Sequence, residues 1–82
     1  MKLIGMCVIA ALALASAASA ASVSDCVQFS KQVSQALAEA QPGDTTSQAR
    51  TEANSGRSFC ASGMYEQGVA RYTKALQLLG KS

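Results

Sequence analysis

Apolar positions in the first half of the chain recur at intervals of three and four. Cys26, Phe29, Val33, Leu37 and Ala40 fall on one face of a 3.6-residue period, separated mostly by Ser, Gln, Lys and Glu. The spacing predicts a helix over about 23–41. Ser22 with Asp25 three residues on makes a capping-box-like start, and Pro42-Gly43 makes the stop. A second helix is predicted over about 45–62, opened by Thr45 and Gln48, which match the capping box in type and spacing. Its inner face, Ala49, Ala53, Gly56 and Cys60, is small throughout, so another helix can approach closely. Gly56 costs roughly 1 kcal/mol relative to Ala inside a helix, which calls for a packing reason. After Ser62-Gly63 a third helix is predicted over about 64–79. Tyr65, Gly68, Val69, Tyr72, Ala75, Leu76 and Leu79 form its stripe, and Gly80 ends it. No stretch alternates long enough to compete as a strand. The expected fold is all-α: a small three-helix, up-down-up bundle around one thin core.

The first twenty residues, MKLIGMCVIAALALASAASA, follow a different pattern. Lys2 is a short positive start, Leu3 to Ala15 is apolar, and Ala18-Ser19-Ala20 fits a secretory cleavage site. Ala and Ser fill the second half and gain little from lipid, which favours a cleaved leader over a retained anchor. The expected organisation is a signal peptide over 1–20 and a single helical domain over 21–82. The protein would then be secreted or periplasmic, touching a membrane only through the leader before cleavage. A 62-residue domain buries only about 60% of its unfolded surface and is marginal without help.

That help is expected from cysteine. Cys7 leaves with the leader, and Cys26 and Cys60 remain in a chain bound for an oxidising compartment. Each lies seventeen residues from Gly43, one before it and one after. Two antiparallel helices folded about Pro42-Gly43 bring them level at the end away from the turn. A disulfide there closes a loop of about 35 residues, worth roughly 4 kcal/mol in the chain-entropy model.

Charge and chemistry narrow the function. Beyond the leader six basic side chains face five acidic ones, a net +1 without a basic cluster, so no nucleic-acid partner is expected. The chain has no histidine, which removes Ser-His and Cys-His pairs. Bridged cysteines leave no thiol nucleophile, and two thiols fall short of a tetrahedral zinc site. Asp25, Asp44 and Glu52 are accounted for by capping and solvation. Neither an enzyme nor a cofactor or metal is expected.

From Ala49 to Gly80 the chain resembles one tetratricopeptide repeat, a 34-residue helix-turn-helix unit. Gly56 takes the first glycine of that pattern and Phe59 the aromatic after it. Gly63 and Tyr65 resemble the inter-helix turn, Gly68 the small position, Tyr72 the aromatic four residues later, and Ala75-Leu76 the closing pair. Glu52, Ser55 and Gly80 depart from it, standing where tryptophan, leucine and proline are usual. The segment Gln35 to Pro42 resembles the close of a preceding repeat. The resemblance implies a tetratricopeptide-like C-terminal hairpin that binds a protein or peptide, a second copy of the chain included.

In such repeats the first helix lines the binding face. Here Arg50, Asn54 and Arg57 share one face of the second helix and are the candidate partner-binding residues, Arg being suited to carboxylates. Met64 and Leu78, off the main stripe of the third helix, are a candidate apolar interface. A different class of function is an exported stress or effector protein that opens and turns apolar helix faces to membranes or unfolded clients.

Overall fold

The computed structural model describes residues 21–81, and the expected leader lies outside them. Three helices make up the fold: α1 (Val23–Glu39), α2 (Asp44–Ala61) and α3 (Tyr65–Leu78). They run up, down and up, with every end within two residues of the one the periodicity predicts.

α1 begins as its sequence demands. The Ser22 hydroxyl accepts from the Asp25 N–H, and the Asp25 carboxylate accepts from the Ser22 N–H at 2.9 Å, a complete capping box. The start of α2 corrects the expectation placed on Thr45 and Gln48. Gly43 is the N-cap, no side chain caps the helix, and Asp44 already sits in the first turn, where its charge complements the helix dipole. The hydroxyl of Thr46 donates back to the Gln41 carbonyl at 2.5 Å and ties the turn down.

α2 and α3 share one kind of ending. The Met64 N–H reaches the Phe59 carbonyl at 2.9 Å, and the Lys81 N–H reaches that of Leu76 at 2.8 Å. In each case the intervening glycine, Gly63 or Gly80, takes a positive φ, as a Schellman stop requires.

The core consists of Val33 and Ala36 from α1, Ala49 and Ala53 from α2, and Tyr72, Ala75 and Leu76 from α3. Phe29, Leu37, Leu78 and Leu79 pack around it, half-buried. α2 adds only small side chains, and the packing reason for Gly56 is plain. A Cβ at Gly56 would lie 2.9 Å from the Tyr72 ring and 3.0 Å from the Gly68 carbonyl. A Cβ at Gly68 would lie 3.0 Å from the Gly56 carbonyl and 2.2 Å from the Cys60 sulfur. The two glycines form the point where α3 crosses α2, with backbones almost in contact.

Cys26 and Cys60 are bridged, with Cα atoms 6.1 Å apart, inside the usual range. The bond joins α1 to α2 at the end remote from Pro42-Gly43. Across α2 and α3, Glu52 bonds Arg71 at 3.2 Å and faces Lys74 at 3.8 Å. Solvation therefore does not account for Glu52: its side chain is only 17% exposed and clasps the hairpin.

Candidate functional site

α1 packs more closely on α3 than on α2, and a furrow opens between α1 and α2. It has two adjoining depressions that share Arg57. The outer one, of about 470 Å³, lies beside the disulfide. Val23 and Val27 line it from α1, Tyr72 lines it from α3, and Arg57 with Ala61 lines it from α2. Ser30 and Lys31 stand on its α1 side. The second depression, of about 320 Å³, is lined by Ser34, Leu37 and Ala38 opposite Arg50 and Arg57.

The sequence forms this furrow through a second stripe on α1. Val23, Val27 and Lys31 recur every fourth residue, one position off the buried stripe that starts at Cys26. Once Cys26 and Val33 turn inward, this second stripe faces the gap above α2. Val23 and Val27 remain 58% and 50% exposed, an open apolar strip that no other part of the described chain covers.

Electrostatics divides the bundle in two. Arg71 and Lys74 pair with Glu52, and Lys81 pairs with Glu39 at 3.5 Å. Among the described residues the three furrow cations, Lys31, Arg50 and Arg57, pair with no carboxylate. The Arg57 guanidinium donates to the Asn54 amide oxygen at 3.5 Å. Among the described residues no acidic side chain lines either depression.

The structure thus brings Arg50 and Arg57 to one furrow, with Asn54 steadying Arg57. It does not bring Met64 and Leu78 together. They stand at opposite ends of α3, about 20 Å apart at 1.5 Å per residue. Leu78 is half-buried against the core, and Met64, 42% exposed, supplies the N–H that closes α2. The candidate apolar interface is therefore split between two places: Leu78 packs on the core, and Met64 keeps an exposed side chain beside the α2 stop. Lys31, Val23 and Val27 were not anticipated as site residues, although their four-residue spacing was readable.

No protein-family model, no curated protein and no solved structure significantly matches this chain. The likeness to a tetratricopeptide repeat consequently rests on the chain's own residues.

Proposed function

We propose that the protein is an exported, disulfide-stapled helical module that holds a protein or peptide segment along the α1–α2 furrow. The observation that carries this reading is the pair Arg50 and Arg57, without carboxylate partners, on the rim of a furrow with apolar walls. Such a rim suits an extended segment carrying carboxylates, since arginine presents a planar fork of donors to them. The tetratricopeptide-like spacing of Gly56, Phe59, Gly63, Gly68 and Tyr72 supports the same reading, because the first helix of such a hairpin is the one that faces ligand. Export is supported by the leader-like residues 1–20 and by the disulfide, which persists in oxidising compartments. The absence of histidine favours a binder over an enzyme.

The test is a pull-down with the oxidised protein beside an Arg50→Ala, Arg57→Ala variant. Capture of a partner by the parent and its loss by the variant supports the reading; equal capture by both sinks it. Reduction separates this function from that of an opened effector. A stapled module loses its partner on reduction, whereas an effector gains binding to vesicles or a hydrophobic dye.

A further inference from the structure

The outer depression carries an inference beyond peptide capture. We propose that it binds a free medium-chain fatty-acid anion, its alkyl chain along Val23, Val27 and Tyr72 and its carboxylate between Lys31 and Arg57.

Three observations converge on that chemistry. The depression is of ligand size, about 470 Å³, within the range small-molecule sites occupy. Its walls are largely apolar: two half-exposed valines, the Tyr72 ring and the Cys26–Cys60 bridge. Its charged groups are all of one sign, Lys31 and Arg57, and neither meets a carboxylate among the described residues. An apolar slot edged by unpaired cations selects a molecule that is apolar along its length and anionic at one end. A neutral alkane leaves the cations unused, and a cationic amphiphile is repelled. Ser30, on the same α1 side, adds a hydroxyl that can donate to the second carboxylate oxygen.

The floor of the slot is rigid. Tyr72 is 3% exposed and wedged against Gly56, and the disulfide fixes the outer wall. Little ordering is needed on binding, which favours a small ligand. The depression is shallow and largely open to solvent, so affinity should rise by about twofold per added methylene, less than full burial would give.

The test titrates the isotope-labelled, oxidised protein with decanoate and with decyltrimethylammonium, both below micelle formation, and reads amide shifts. Decanoate should saturate at one per chain, with shifts centred on Val23, Val27 and Arg57. The cationic amphiphile should bind at least about tenfold more weakly, because its head meets two like charges. Lys31→Gln with Arg57→Gln should erase that preference while the melting temperature holds. Val27→Gln should weaken both ligands. Arg50→Ala should leave decanoate binding intact, since Arg50 lies outside this depression, so loss of peptide capture and loss of fatty-acid binding are separable results. Equal affinity for the two head groups overturns the proposal. So do no shifts at millimolar decanoate, or shifts that arise only with phosphatidylglycerol vesicles; the last would make the surface a membrane contact instead.

Discussion

Gly68→Ala sets helix propensity against packing, and the structure says which wins. On propensity alone the substitution stabilises α3 by about 1 kcal/mol. At this position, however, the new Cβ would sit 2.2 Å from the Cys60 sulfur, 3.0 Å from the Gly56 carbonyl and 3.1 Å from the Cys60 nitrogen. Two of these atoms are backbone. The third belongs to a disulfide anchored on Cys26, so it cannot swing aside as a free side-chain end would. Relief requires α3 to lift by roughly 1 Å from α2 at the crossing, loosening Tyr72 and Ala75 as well. Overpacking of this kind costs about 1–3 kcal/mol, and the sub-van-der-Waals contact places it at the upper end. After the propensity gain, a net loss of about 2 kcal/mol is expected, a large share of what a domain this small possesses. Thermal unfolding followed by circular dichroism should show the midpoint falling by about 8–16 °C. A variant as stable as the parent, or more so, would refute the close-crossing argument and leave propensity as the rule at this site.

Four further outcomes follow from the same contacts. Replacing Cys26 and Cys60 by Ala should remove about 4 kcal/mol and leave the helices mostly unfolded at room temperature, read from the far-ultraviolet signal. Glu52→Gln should cost about 0.5–1 kcal/mol, the modest figure reflecting the exposure of Arg71 and Lys74, and the difference should shrink in high salt. Ser22→Ala removes the cap of α1 and should lower stability by about 1 kcal/mol, with faster amide exchange confined to the first turn. Leu76→Ala should cost about 2–5 kcal/mol in a denaturant titration, since the side chain is buried against both other helices' contributions to the core.

Much of this fold could be read locally. The three helices follow from three- and four-residue spacing and from glycine and proline punctuation, each decided within one turn of chain. The disulfide followed from two cysteines placed symmetrically about Gly43. What escaped depended on neighbours distant in sequence. Glu52 passed for a solvated carboxylate because its partners lie 19 and 22 residues further on, Arg71 and Lys74. Ala36 is buried while Leu37 is only half-buried, because α1 turns towards α3 and its stripe rotates by one position. The four-residue spacing of Val23, Val27 and Lys31 was readable on α1, but that this second stripe faces an open gap depends on how α1 sits against α2 and α3. The cap of α2 was misplaced by a local ambiguity: Asp44 and Thr45 both suit a helix start, and the extended Gly43 decided between them.

The open furrow and the staple explain each other. A three-helix bundle of this size would ordinarily close the gap between α1 and α2 and bury Val23 and Val27, gaining roughly 1 kcal/mol for each, since about half of each is already covered. This chain forgoes that gain. Its disulfide more than offsets it, chiefly by restricting the unfolded state, without requiring α1 and α2 to be in continuous contact. With their ends tied at Cys26–Cys60 and at the Pro42-Gly43 turn, the two helices can stand apart between the ties. Cations can then line the gap unpaired, because the open side keeps them hydrated. Closing the furrow would bury Lys31 and Arg57 without partners, a cost exceeding the apolar gain unless a carboxylate came with it. The unpaired charges therefore hold the furrow open against collapse, and a ligand that neutralises them while covering the valines removes both obstacles at once.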